Sequence, residues 1–482
     1  MSSSFLQWAA NVNVVKALVA NSGNRILFTG DGYPKETNET LALDSSPYPT
    51  TTRRLGIPAP TNALTITPIG TAGDDIEKSV SYAYTIVGKW ADGSEVESGP
   101  SPATAVFDWY EDITPRLTGF TDATATGVYT THFRIYRVNT GNTGSEFQYV
   151  DEMEVATTTY DDTVTDDDLQ EVIATTYWTS PDATLSGLTA TSHGLVFGFV
   201  GNTIYPSEVF ITYAFPSIYS LVVESDIVGF GYTGSLVVVL TETVPYLLTG
   251  QDPEALSLQR LGYQQSCVSA RSIVNIPGGV IYASPDGLFM IDESGVGDLI
   301  TKDLFTKTQW NALTPANLFG FYYDDSYIGF FSGTTVGFRL KLTSDEESPL
   351  EYKTLSLTQN VYGGEYSSAA DLLYLIQTKG AVREIVSWES GAVVNYTWTS
   401  KEFSFSSRDT FTAGMIIGDF TAGNVTLTFY ADGAQVDSKE ITSNDLFRIS
   451  GMTGETFQVK AVGKTTIDRL IIGRSVMEVI SV

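Results

Sequence analysis

The chain has 482 residues, and its formal charge of −29 arises from 56 Asp and Glu against 27 Lys and Arg. That balance excludes nucleic acid gripped in a basic groove, which depends on Lys and Arg neutralising phosphates. The lone cysteine, Cys267, excludes an internal disulfide framework and a zinc site built from thiolates, and reads as a small buried hydrophobe. Aromatic residues make up 12% of the chain and charged residues only 17%, with abundant Thr, Val, Tyr and Gly. The composition predicts an all-β, multidomain chain with almost no long helix.

Residues 1–76 are rich in Thr, Pro and Gly. The stretch 11–20 is too short to span a bilayer, and the first residues lack the basic-then-apolar layout of a secretion signal, so no membrane anchor is expected. The clear strand signal is 24–29, turned by Gly30, Asp31 and Gly32. From 37 to 68 five prolines interrupt any period, which predicts an extended arm or long loop, with 48–60 free to wrap a neighbouring subunit. Residues 77–171 read as a compact sandwich of the fibronectin type III or immunoglobulin kind. In its hairpin Phe133 and Ile135 alternate with Arg134 and Tyr136, as a period of two demands. His132 stands before that hairpin and is not placed for catalysis. Asp161, Asp162, Asp166, Asp167 and Asp168 close the module; they lack the central Gly and terminal Glu of a calcium loop and read as a solvated linker.

Residues 172–397 carry apolar strand pairs that start at Gly194, Gly234, Gly278, Gly320 and Ala369. A single pair buries too little surface to offset its conformational entropy, so such units must pack on one another; a repeat of about 40–45 residues is that of propeller blades. Stacked sandwich hairpins give a similar rhythm. The 24–35 element is like 202–210 in polarity and turn placement, which suggests that the N-terminal strand completes a blade, with the sandwich inserted and five or six blades in all.

Within the repeats, His193 precedes the first blade strand. Gly229, Gly231 and Gly234 match a G-x-G-x-x-G but lead into a strand rather than a helix, and so predict a turn, not a phosphate cradle. The turn at Asp286 resembles the structural Asp-box of sialidases. Tyr282, Tyr322, Tyr323 and Trp388 fall in strand patterns and read as packing rather than glycan stacking. With no G-x-S-x-G, H-E-x-x-H or P-loop, no catalytic, cofactor-binding or metal residue is assigned and no enzymatic activity is expected. Residues 398–482 predict a terminal β-sandwich: Val425, Leu427 and Phe429 alternate with Thr426, Thr428 and Tyr430, Asp432-Gly433 makes a tight hairpin, and 466–479 is a closing strand.

Residues 235–291 contain, in order, an apolar strand, a strand ending Thr-Gly, a Gln-rich connector and a Gly-turned strand pair. This order resembles the propeller core of bacteriophage tail hub proteins, the nozzle or packaged-DNA stabilisation proteins of short-tailed phages. GNRILFTGDGYPK and GNTIYPSEVFITYAFP are similar to that family's early blade strands, and WTSKEFSF, FYADG and IDRLIIGRSVMEV to the terminal sandwich of phage tail proteins. The resemblance implies a non-enzymatic virion protein of the phage tail, assembled in the host cytoplasm. It implies self-association as a six-membered ring beneath the portal and head-to-tail adaptor, with tail spikes, fibres or a needle nearby. Its channel would retain the packaged genomic DNA and later conduct it without sequence-specific binding, past an acidic wall that a polyanion slides along. Two rival expectations are a tail protein whose sandwich binds a host-surface glycan and a propeller glycoside hydrolase, whose paired carboxylates need a separation the sequence does not fix.

Overall fold

The computed structural model describes residues 4–18, 24–140, 146–234, 236–342 and 351–481. The protein is all-β. Its α-helices, among the described residues, are the short Glu39–Ala42, Lys307–Ala312 and Val476–Ile480, and none of the described helices is long and apolar enough to cross a membrane. The chain divides into two compact units, 1–385 and 386–482.

Unit 1 is built on five antiparallel sheets, each a meander in chain order. The first comprises Asn13–Lys16, Ile26–Thr29, Lys35–Thr37 and Arg53–Arg54. The second begins at Ser186–Ala190, the third at Ile227–Thr233 and the fourth at Val274–Ile276, and each has four strands. The fifth begins at Leu318–Tyr323 and has six. The opening strands of successive sheets touch one another in order, from the first sheet to the fifth.

The continuous apolar runs of the repeats follow from burial on both faces. Successive strand residues point to opposite sides, so each central strand feeds two cores. In Leu236–Thr241, Val237 and Val239 join the core shared with the second sheet, while Val238 and Leu240 join the core shared with the fourth. In Gly279–Ala283, Val280 and Tyr282 face the third sheet, and Ile281 and Ala283 face the fifth. Val196 packs with Val15, Leu27 and Leu188 between the first two sheets, while its neighbour Phe197 faces the third. All of these side chains except Val15 are at most 4% exposed. Burying each contributes roughly 1.5–3 kcal/mol for a side chain of Val, Leu or Phe size. Cys267 lies in the core between the third and fourth sheets, as the sequence suggests.

The inserted module has two sheets around one core. One sheet holds Ile76–Lys89 with Glu95–Glu97, Phe107–Tyr110, His132–Thr140 and Gln148–Glu154. The other holds Thr65–Gly70, Ile113–Thr118 and Thr159–Asp161. Tyr82, Tyr84, Phe133 and Ile135 from the first meet Leu117 and Ile113 from the second. Unit 2 is one hydrogen-bonded sheet rather than two. The 17-residue strands Phe403–Asp419 and Phe447–Gly463 bend at register shifts near Ser404, Asp409 and Phe411, so the sheet wraps around its own core. Asp432 and Gly433 both take positive φ, as the tight hairpin requires.

Several expectations change. The Ala369 hairpin, strands Leu372–Lys379 and Val382–Ser387, makes no sheet of its own and extends the fifth. The strand Ile26–Thr29 pairs inside its own four-stranded sheet, and no described strand pairing joins the first sheet to the fifth. The module starts at Thr65, earlier than residue 77, because Thr65–Gly70 pairs with Ile113–Thr118. Tyr396–Thr399 pairs with Phe447–Gly463 and so belongs to the terminal sheet, ahead of residue 398. The 48–60 stretch is not a free arm: Arg53–Arg54 is a strand of the first sheet, Leu55 is buried in the core of the first two sheets, and Ile57 is buried in the core of the module. Apolar side chains spaced two apart stitch insert to scaffold there, a role that proline content concealed.

Gly229 and Gly231 are not in a turn either. They lie in the strand Ile227–Thr233, and a Cβ on Gly231 would stand 2.3 Å from Val280 Cγ1; of the motif only Gly234, at φ +52°, turns the chain. Overpacking of this kind costs about 1–3 kcal/mol. Gly231→Ala is therefore expected to lower the urea-unfolding free energy by that amount, with Val280→Ala recovering part of the loss in the double variant; additive losses would refute this contact as the reason for the glycine.

Candidate assembly surface

One cluster of ionisable side chains lies where the insert meets the scaffold. The Trp90 indole lies between two guanidiniums, Arg25 Cζ at 3.9 Å and Arg53 Cζ at 4.0 Å from the ring, and Arg53 also covers Tyr129 at 3.3 Å. Arg25 and Arg53 come from the first sheet's end of the chain, Trp90 and Tyr129 from the module, so these cation–π contacts clamp one to the other. Arg25 Nη2 also donates to Asp92 Oδ2 at 3.4 Å and to Ser94 Oγ. Glu36, 3% exposed, sits 3.7 Å from Arg25 Nη1. Burial pushes its carboxyl up to about 7 despite the opposing pull of Arg25 and Arg53.

A second cluster closes the module. Asp162 and Arg137 are both fully buried; Arg137 Nη1 donates to Asp162 Oδ2 at 2.6 Å, and the Tyr82 hydroxyl donates to the same oxygen at 2.6 Å. Arg137 Nη2 donates to Asp166 Oδ1 at 2.9 Å, and Arg116 holds Asp161 through two hydrogen bonds. Asp162 is thus a buried anchor and Asp161 and Asp166 are surface ion-pair partners, while Asp167 and Asp168 are exposed, as a solvated linker would have them. Arg137 lies 25 residues from Asp162, which is why local spacing did not reveal the pair. No group of three or more potential metal ligands occurs among the described residues.

The other singled-out residues are dispersed. His132 Nδ1 is 2.8 Å from Thr131 Oγ1, and His193 is half-buried ahead of its strand. Asp286 accepts from Gln265 Nε2 at 2.9 Å and pairs with Lys307 at 2.7 Å; it is Ser284 that bonds the hairpin backbone, donating to Gly287 O. Tyr282 is buried, donating to Gln265 O, while Tyr322 donates to Asp325 and Tyr323 packs edge-on against Tyr366. Trp388 is half-buried.

Open concave surfaces of similar size occur in both units, one beside Trp8 and Tyr48 in unit 1 and an aromatic one in unit 2. Trp398, Phe403, Phe405, Phe411, Met452 and Phe457 line a pocket of about 340 Å³. Phe405, Phe411 and Phe457 form a triangle of rings with centroids 4.9–5.8 Å apart. Trp398, Phe403 and Phe405 remain 49%, 46% and 39% exposed. Its two polar side chains are spent on the chain: Ser400 Oγ accepts from Val459 N and donates to Lys401 O, and Gln458 Nε2 donates to Ser400 O. The pocket therefore presents mainly aromatic rings, a surface suited to apolar side chains. The sequence carried a signal for it, three aromatics at 398, 403 and 405 on the solvent side of a strand pattern.

The sequence matches no family model and no curated protein. Among solved structures it is similar to Hsv2 of Kluyvelomyces marxianus, at 12% identity over 55% of this chain and 70% of that one, with a TM-score of 0.29. The N-terminal domain of Nup159 is 10% identical over 59% of this chain and 90% of that one, at 0.26. The AfRom2 CNH domain is 9% identical over 69% and 91%, at 0.29. Scores of this size carry no inference about shared architecture or function.

The clamp has a pH signature. Between the ordinary glutamate value and about 7, Glu36 is protonated in the folded chain and ionised in the unfolded one, so the unfolded state binds fewer protons and stability falls as pH rises through this window. The loss is about 3 kcal/mol, at roughly 1.4 kcal/mol per pH unit. Urea titrations of wild type and Glu36→Gln at pH 5 to 8 are expected to show a steeper fall in wild type, since Glu208 and Glu365, also raised by burial, contribute to both; parallel curves would refute it.

Proposed function

We propose that the protein is a structural subunit of a phage tail hub, working by self-assembly into a ring around a DNA channel. Its five stacked sheets are read as a five-bladed β-propeller with a fibronectin-like module inserted after the first blade. Support for the propeller comes from the ordered contacts of the opening strands and from contacts between the chain's first residues and the fifth sheet. Phe5 packs edge-on against Tyr374 at 5.2 Å, and Arg271 donates to both Asn11 and Tyr362 O.

The observation that carries an assembly role is the exposed aromatic pocket on a nearly neutral unit. Residues 386–482 hold eight Lys and Arg against eleven Asp and Glu, whereas residues 1–385 hold nineteen against forty-five. Like charge keeps the acidic parts of two copies apart, so an attractive surface belongs where charge is low and apolar area is exposed. The opening strands of the five sheets carry one charged residue, Lys16. The DNA channel is accordingly assigned to the centre of the subunit ring, not to the axis of the propeller.

Immunogold labelling of tailed particles that contain this chain tests the reading. Label on the tail axis just below the capsid is the expected result. Label on peripheral fibres would replace it with the receptor-binding alternative, and intact particles without label under a validated antibody would refute a virion role.

A further inference from the structure

We propose that copies of this chain join head to tail through their C-terminal units, the helix Val476–Ile480 of one copy seating Met477 and Ile480 in the aromatic pocket of the next. This deepens the ring reading above and rests on it for closure. The geometry begins in the strand Thr466–Gly473, whose side chains alternate between the two faces of the terminal sheet. Leu470 and Ile472 line the pocket. Ile471, between them, points the other way and forms a small core with Ala413 and Val479 beneath the helix. Helix and pocket therefore occupy opposite faces of one sheet. A copy can offer both at once, which is the condition for a heterologous contact that repeats around a ring.

The helix is shaped as a knob. Val479 is fully buried, whereas Met477 and Ile480, three residues apart and so on one side of the helix, are 75% and 63% exposed. A thioether on a flexible stem packs well against ring edges, and the pocket offers the Phe405, Phe411 and Phe457 rings. No net charge opposes the contact at the helix, where Glu478 accepts from Arg474 N at 2.6 Å and stands 3.8 Å from Arg474 Nη1, and at the pocket Lys401 lies 5.2 Å from the Phe403 ring. The near-neutral balance of residues 386–482 removes the repulsion that a contact through residues 1–385 would meet.

Sedimentation equilibrium of the full chain tests this with two variants. Met477→Asp/Ile480→Asp spoils the knob and leaves the pocket; Phe403→Asp spoils the pocket and leaves the knob, with Trp398→Asp as a second pocket variant should the first fail to fold by circular dichroism. Wild type is expected to assemble, and each variant alone to sediment as a single chain of 52.3 kDa. An equimolar mixture of knob and pocket variants is expected to stop at a two-chain species, because one intact knob meets one intact pocket. Wild type that assembles together with variants that assemble equally well would overturn the contact while leaving the ring. A wild type that stays monomeric at every concentration would also overturn the contact, while tail position would still be decided by the labelling experiment.

Discussion

Burial of both faces of each sheet is the constraint on which unit 1 depends. A four-stranded meander with apolar side chains on both sides cannot stand in water alone, so each sheet needs a neighbour on either side. Val237 and Val239 point to one neighbour and Val238 and Leu240 to the other, within a single strand. The cores between sheets are therefore not independent. Gly231 shows how close the fit is: the third sheet approaches the fourth so nearly that the backbone at Gly231 leaves no room for a methyl group beside Val280.

The insert is held to this stack by a different kind of contact. Leu55 and Ile57 give it an apolar seam, but the distinctive feature is a tryptophan between two guanidiniums with a buried glutamate beside them. Cation–π contacts tolerate desolvation of the arginines better than an isolated charge would. The charge of the chain is strongly partitioned. Residues 1–385 carry the acidic excess, and residues 386–482 are near neutral and expose aromatic rings. In the assembly proposed above, this partition places adhesion between copies on the near-neutral part.

The strand pairs of the repeats were legible from sequence because period-two burial and Gly or Asp turns are local. The pairs at Gly194, Gly234, Gly278 and Gly320 each form adjacent strands of one sheet, and the Val425, Leu427 and Phe429 alternation with its Asp432-Gly433 turn is realised strand by strand. What escaped was non-local. Sheet membership of the Ala369 hairpin depends on which edge is open, and its own residues do not encode that. Asp162 looked solvated because Arg137 and Tyr82, which bury it, come from strands far away in sequence. The 37–68 stretch looked unstructured because its prolines hid two short seams, Arg53–Arg54 and Leu55 with Ile57, that only the neighbouring cores define. The aromatic pocket was partly legible, since Trp398, Phe403 and Phe405 stand in the sequence, but Phe457 and Met452 reach it from another strand.

The most direct test of this account is a cryo-electron microscopy reconstruction of the assembled protein. The account predicts a closed ring in which the Trp398, Phe403 and Phe405 surface of every copy is covered by the next copy's Val476–Ile480 helix. An assembly in which that surface faces solvent, or one built through the acidic faces of residues 1–385, would contradict it.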